Sequence, residues 1–215
     1  MQNQSYIPAL KFHWLTNIYD SLISTFMPEK EFKNAIIINA NIQDNFKVLD
    51  FGIGTATLSL MAYQSNSYAR YIGIDIDDNI LKLAHNKISN SQAKIELVQY
   101  QGGKIPFDDD SFDRIISSLV FHHLTDNQKL VAFQEFYRVL KPNGEVHIAD
   151  WGRANNKIMK GLFHIVQLLD GYDTTTANVD GKLPEIIKSA GFHNVDIKKH
   201  FNTILGTLEI FKITK

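Results

Sequence analysis

Residues 46–64 set a short apolar strand, an acid, two closely spaced glycines and an amphipathic helix in immediate succession. The run is Val48-Leu49-Asp50-Phe51-Gly52-Ile53-Gly54-Thr55-Ala56, followed by Thr57, Leu58, Leu60 and Met61. A strand that turns into a helix through glycine lets a ligand approach bare backbone N–H groups. The chain beyond the turn alternates. Strands are predicted at 46–51, 70–75, 93–99, 112–118 and 145–151, and helices at 55–64, 78–89 and 125–140, with a turn at 141–144. Such alternation implies an α/β fold with a parallel sheet and helices on both faces.

The two ends depart from that rhythm. Apolar residues at helical spacing predict a helix over residues 10–26, and Pro28 opens a second one running to about residue 40. Two helices before a first strand are not part of a minimal α/β sheet, so they pack on it or over it. After the fifth strand come an amphipathic helix (157–169), a polar loop rich in Thr and Asn (170–179) and another helix (181–190) ended by Gly191. Residues 192–200 and 203–214 then read as two strands joined by a tight turn at Phe201-Asn202, an antiparallel pair at one sheet edge. Residues 152–180 leave strand five on the side where open α/β sheets bind ligands, and should form a wall or roof of the site.

Bulk properties narrow the function classes. With 215 residues and 44% hydrophobic residues, the chain can bury the core of one α/β domain. A net charge of −1 gives no strong pull toward nucleic acid or a membrane surface. The absence of cysteine removes disulfides, thiolate metal sites and a cysteine nucleophile. No basic segment followed by an apolar core predicts a secretory leader, and no uncharged apolar run approaches the ~20 residues of a membrane span. The expected location is the cytoplasm.

The glycine turn is not a dinucleotide fingerprint. That pattern needs a glycine at position 57, where Thr57 stands. Asp75, closing the second strand, lies where an acid can meet a ribose hydroxyl pair in a charge-assisted bidentate contact. Asp77 and Asp78 are already available to cap the following helix.

At this point a resemblance emerges. Residues 48–56 resemble motif I of the class I S-adenosylmethionine-dependent methyltransferases, and Tyr71-Ile72-Gly73-Ile74-Asp75-Ile76-Asp77 resembles their second motif. Residues 105–115 are similar to the segment leading into their fourth strand, and Val139-Leu140-Lys141-Pro142-Asn143-Gly144-Glu145-Val146 to the turn into their fifth. The four motifs cover residues 46–151 in the right order. The nearest flavour is the methyltransferase-11-like group that includes ubiquinone and menaquinone biosynthesis enzymes. The tail segments at 150–152, 169–171 and 206–208 also look like uncharacterised bacterial members of that group.

The resemblance implies a Rossmann-like, seven-stranded, mostly parallel sheet with helices on both faces and an antiparallel C-terminal edge pair. It implies one domain over 1–215: a helical cover (1–44), a cofactor-binding core (45–151), an inserted helix and loop over the site (152–180), and a C-terminal helix with edge strands (181–215). The cofactor is S-adenosyl-L-methionine, leaving as S-adenosyl-L-homocysteine. Motif I (Asp50, Phe51, Gly52, Gly54, Thr55) would hold the methionine moiety, with Asp50 organising the turn and, often through water, the amino group. Asp75 would take the ribose hydroxyls, Ile76 the adenine face, and Gln101-Gly102 the adenine edge. Ser117, Ser118 and Leu119 would line the floor under the methionine. Two positions depart from the family pattern. Ala56 replaces a third glycine, and Gln101 replaces an aspartate that accepts the adenine amino proton. An amide oxygen still accepts that bond, without charge, so cofactor binding should be weaker but retained.

His122-His123 follows strand four. Adjacent residues diverge on any regular element and no third ligand is evident, so a metal site is not expected. In one reading one histidine packs or caps near Thr125 and the other faces the crevice; in the alternative, a histidine serves as a catalytic base near neutral pH, with His122 the candidate base and His123 a candidate for the substrate pocket. Asp150, ending strand five, is either a base or substrate ligand, or an acid that organises its loop. Phe12, Trp14, Tyr19 and Trp151 are candidate aromatic walls of a substrate pocket, with core packing as the alternative for each.

Two functions of different class follow. One is methyl transfer to a small, apolar or aromatic acceptor, quinone-like among the options; the other is a catalytically silent protein that binds the cofactor and acts through partners. Retention of Asp50, Gly52, Gly54 and Asp75 favours the first. Neutral charge, and Ser-Ser-Leu-Val where nucleic-acid enzymes of this fold carry Asn/Asp-Pro-Pro-aromatic, argue against nucleic acid.

Overall fold

The computed structural model describes residues 28–152, 178, 180–203 and 206–215. Among them a seven-stranded sheet runs in the order β3-β2-β1-β4-β5-β7-β6. The strands are β1 (Lys47–Phe51), β2 (Arg70–Asp75), β3 (Ile95–Gln99), β4 (Phe112–Ser118), β5 (Leu140–Trp151), β6 (Asn194–Asn202) and β7 (Thr207–Thr214). Only β7 is reversed, pairing antiparallel with both β5 and β6. The helices are α1 (Glu29–Ala40), α2 (Thr57–Ser65), α3 (Asp78–Ser91), α4 (Asp126–Val139) and α5 (Leu183–Ser189). This is the mostly parallel Rossmann-like sheet with an antiparallel edge pair that the sequence predicts.

Strand β1 shows how the two faces are built. Successive side chains point to opposite sides. Val48 joins Phe32, Ile36 and Leu58 beneath α1 and α2, whereas Leu49 and Phe51 join Phe133, Phe136 and Phe192 beneath α4 and α5. Helix α3 packs with α2 through Leu60, Leu81, Ala84 and Ile88. Helices on both faces make β1 a near-continuous apolar run. The helix ends are fixed locally. Thr125 and Gln128 form a capping box at α4, Asp77 caps α3, and Arg114 Nε donates to the Ala40 carbonyl at the end of α1 (2.7 Å).

The structure corrects the sequence reading at several boundaries. The turn predicted at 141–144 lies within β5: Leu140 already pairs with Phe112, and the register shifts before Arg114 meets Glu145. Asn143 takes the bend at φ +63°. The β6–β7 turn is not at Phe201-Asn202, which still pair with Leu208 and Thr207. It spans residues 203–206, closed by Thr203 N–H on the Gly206 carbonyl (2.9 Å) and Gly206 N–H on Thr203 Oγ1 (3.1 Å). Helix α2 starts at Thr57 rather than residue 55, because Ala56 sits at φ +63°, outside helical space. The helix predicted at 10–26, with Phe12, Trp14 and Tyr19, and the segment 157–177 lie outside the described residues. Among the described residues no helix is long and apolar enough to cross a membrane.

Candidate active site

The glycine turn is tied down on β2. The N–H groups of Gly52 and Ile53 both donate to the Ile74 carbonyl (2.9 and 3.0 Å), and Ile53 fills the space over Gly73, which has no room for a Cβ. Gly52 and Gly54 have φ of +69° and +55°. A Cβ on Gly52 would meet Val120 Cγ2 at 2.4 Å, whereas one on Gly54 would meet nothing within 4 Å. The first glycine is thus required by packing, and the second borders open space. Thr55, also at the turn, is exposed.

Asp75 links the turn to the end of β2. Its Oδ2 accepts the Gly54 N–H at 3.0 Å and its Oδ1 the Asp77 N–H at 3.1 Å. Beyond it, Ile76 is 43% exposed, an uncovered apolar side chain at the rim. Gln101 and Gly102 are exposed, with Gly102 at φ +81° and open space where a side chain would be. An acid for a diol, an apolar flat face and an amide at the edge suit a nucleoside, and the open ground before Gly54 suits its attached chain. Asp50, on the α1–α2 side, is 2% exposed and accepts the Ser59 hydroxyl at 2.6 Å. Burial pushes its pKa up to about 7, against the opposing influence of Ser59 and Lys33. The Phe51 ring lies inside the aromatic core, 4.9 Å from Phe136 and 5.9 Å from Phe121, so only its backbone faces the turn.

The ends of β4 and β5 form a second centre. Ser117 is buried and donates to the Phe51 carbonyl (2.7 Å), stapling β4 to β1, while Ser118 is half-buried. Leu119 takes φ +58°, a costly conformation for a side chain branched at Cγ, and its N–H bonds the Ala149 carbonyl at 2.8 Å. Just beyond, Asp150 is fully buried and accepts five donors. These are Val120 N (3.0 Å), Phe121 N (2.6 Å), Trp151 N (2.8 Å), His122 Nδ1 (2.9 Å) and Asn178 Nδ2 (3.2 Å). Burial would raise its pKa, but the His122 ring and the backbone donors outweigh it and hold the carboxyl below its ordinary range. An ionised carboxylate only accepts, so His122 Nδ1 carries a hydrogen, and in the neutral ring Nε2 is the accepting atom. His123 is exposed, with its ring 3.9 Å from that of His122, and the charge of that neighbour lowers its pKa. Trp151 is 2% exposed, in the core with Leu208 and Ile210.

Sequence reasoning missed four residues here. Asn178 carries no pattern that marks it, and Thr207 lies in the 206–208 segment of family likeness with nothing to mark it as a site residue. Lys129 and Glu209 do carry a mark. Lys129 is fully buried on the apolar stripe of α4 that includes Ala132, Phe133 and Phe136, and burial lowers its pKa. Glu209 is a buried acid inside the apolar run Leu208-Glu209-Ile210-Phe211.

The mostly parallel sheet with its glycine turn and Asp75 is the fold of a class I transferase, and comparison with known proteins gives the family. A family profile described as a methyltransferase domain matches residues 48–144. The chain is 31% identical over 182 residues to a demethylmenaquinone methyltransferase of Lactobacillus johnsonii, covering 75% of this chain and 73% of that one. It is 26% identical over 189 residues to a ubiquinone/menaquinone biosynthesis C-methyltransferase of Pseudoalteromonas translucida, covering 85% and 74%. A solved S-adenosylmethionine-dependent methyltransferase from Aquifex aeolicus shares the fold, with a TM-score of 0.65 at 20% identity over 91% of this chain and 93% of that one. The chain belongs to the S-adenosylmethionine-dependent methyltransferase family.

Proposed function

We propose that this methyltransferase acts on a small, apolar or aromatic acceptor that must lose a proton, and that His122 takes that proton. The observation carrying the reading is the His122–Asp150 pair, placed where β4 and β5 open beside the glycine turn. The relatives named for demethylmenaquinone and for ubiquinone/menaquinone C-methylation support an acceptor of hydroquinone type.

In this reading Asp50, Phe51, Gly52, Gly54, Thr55, Asp75, Ile76, Gln101 and Gly102 hold S-adenosylmethionine, above a floor of Ser117, Ser118 and Leu119. Bound there, the cofactor supplies a methyl group on a sulfonium, electrophilic without help from an acid. The protein's task is therefore alignment and exclusion of water, worth up to about 7–11 kcal/mol in favourable cases. Asp150 positions His122 and does not itself meet the acceptor. It fixes Nδ1 as the donor and leaves Nε2 to accept a hydroxyl or activated C–H proton. The strained Leu119–Phe121 segment is held in place by the same carboxylate, so one acid sets both the floor and the base. His123 lines the mouth of the pocket, and Trp151 supports its wall from the core.

Incubation with methyl-labelled S-adenosylmethionine and a panel of 2-unsubstituted naphthohydroquinones, read by mass spectrometry, tests this. Label should appear on the acceptor in wild type and be strongly reduced in His122→Asn. Transfer to none of the panel would overturn the acceptor class, and undiminished transfer in His122→Asn would overturn the base.

A further inference from the structure

The sheet register gathers an unusual polar group on the α4–α5 face beyond the end of β5. Asp150 stands opposite Glu209, and the Gly152 N–H bonds the Thr207 carbonyl (2.9 Å), so residues 150, 152, 207 and 209 share one face. Gly152 has no side chain there, and its place is taken by Glu209: a Cβ on Gly152 would lie 2.0 Å from the Glu209 carboxyl carbon. Asn178 reaches the same spot, with its Nδ2 donating to both Asp150 Oδ1 (3.2 Å) and the Trp151 carbonyl (3.1 Å).

Two atoms of this group are left over. Asn178 Oδ1 and Thr207 Oγ1 are buried and have no hydrogen-bond partner, and both residues are fully buried. Burying one such atom without a partner costs about 1–3 kcal/mol, so two of them, one on a side chain bonded to Asp150 and the Trp151 carbonyl and one on the residue opposite Gly152, point to a group that completes them. The chemistry of the pair restricts that group. Asn178 Oδ1 only accepts, so its partner must donate. The Thr207 hydroxyl can donate in turn, so the partner can also accept. A hydroxyl does both. An ammonium cannot accept from Thr207, and a carboxylate or phosphate cannot donate to Asn178 and would face Asp150 and Glu209. The position fits an acceptor subsite: the group lies at the ligand end of the sheet, next to Asp150, which also carries His122.

We infer that Asn178 and Thr207, set by Gly152 and Glu209, form a subsite for a hydroxyl group of the methyl acceptor, and so select hydroxylated aromatic molecules over their ethers. The inference rests on the acceptor class proposed above. It goes further in naming residues that distinguish a hydroxyl from an alkoxy group.

Calorimetry on the full chain saturated with S-adenosylhomocysteine, titrated with 1-naphthol, 1-methoxynaphthalene and 1-naphthylmethylammonium, tests it. Wild type should bind 1-naphthol about tenfold tighter than either other probe, the worth of one hydrogen-bonded buried pair. Thr207→Val keeps the shape and removes only the hydroxyl. It should reduce that preference to about threefold or less without lowering Tm, since a purely structural Thr207 would leave the ratio untouched. Asn178→Leu should act in the same direction. Equal binding of naphthol and ether, preference for the ammonium, binding of no probe, or a naphthol preference that survives Thr207→Val would each overturn the subsite. So would a crystal structure in which an ordered water keeps both Asn178 Oδ1 and Thr207 Oγ1 while naphthol is bound. The saturating step separates the two readings: failure to bind S-adenosylhomocysteine contradicts the cofactor site, not the hydroxyl subsite.

Discussion

Asp150 and His122 meet at 2.9 Å across the open ends of β5 and β4, and the same carboxylate gathers the backbone N–H groups of Val120, Phe121 and Trp151. This bond joins the stability of the loop after β4 to its chemistry. His122→Asn should leave S-adenosylhomocysteine affinity within about twofold and lower kcat by about 10²–10⁴, the usual worth of a positioned base. Asp150→Asn should instead destabilise the fold by about 3 kcal/mol in denaturant unfolding, because an amide cannot accept at both positions and leaves buried donors unpaired. Loss of activity without loss of stability in Asp150→Asn would contradict the dual role.

The two glycines of the turn should fail in different ways. Gly52→Ala meets Val120 and a positive φ together, so stability should fall by about 2–4 kcal/mol. Gly54→Ala carries only the positive-φ strain, about 1 kcal/mol, but its methyl enters the open cradle. It should fold and bind S-adenosylhomocysteine at least about tenfold more weakly. Thermal melts with and without ligand separate the two.

Asp50 gives the protein a pH dependence of defined sign. The carboxyl titrates near 3.8 when unfolded and at about 7 when buried in the fold. Between those values the folded state holds a proton that the unfolded state has released, so stability falls as pH rises from about 4 to 7 and levels off above. Asp50→Asn removes this effect. Its Tm relative to wild type should therefore climb from pH 5 to pH 8, and a pH-independent difference would contradict the buried protonated acid. An ionised Asp50 is the form suited to an ammonium group, so wild-type affinity for S-adenosylhomocysteine should also increase over that range and stay flat in Asp50→Asn.

Gln101 stands on an exposed loop, so it can be exchanged without a cost to folding. Gln101→Asp supplies the charged acceptor that the family resemblance leads one to expect at this position. Charge-assisted bonds are roughly twice as strong as neutral ones, so S-adenosylhomocysteine should bind about three- to tenfold tighter. Unchanged affinity would place the adenine edge elsewhere.

The parts of the fold written in local pattern were legible in the sequence. β2 and β4 run over 70–75 and 112–118 as expected, and Thr125 caps α4, because strand alternation, capping chemistry and glycine turns are short-range signals. The errors fell where distant contacts decide. The hairpin turn moved to 203–206 because pairing with β7 carries β6 through Asn202, and β5 began at Leu140 because Phe112 pairs with it. The site divided along the same line. Asp50, Gly54 and Asp75 stand within motifs, whereas His122 and Asp150 are separate candidates whose contact only the fold reveals. Asn178 and Thr207 could not be read as site residues, since only sheet register and a chain that returns from 28 residues further on bring them to Gly152 and Asp150. Trp151 could be read as pocket wall or as core, because aromatic residues serve both purposes, and it lies buried with Leu208 and Ile210.

The central claim is that the turn at residues 50–56, closed by Asp75, is the S-adenosylmethionine site. Titration of S-adenosylhomocysteine into the wild-type chain and into Asp75→Ala, followed by calorimetry, tests it most directly. Saturable one-to-one binding in wild type, weakened at least about tenfold in Asp75→Ala, is the expected result. No binding in wild type, or an affinity indifferent to Asp75, would contradict it.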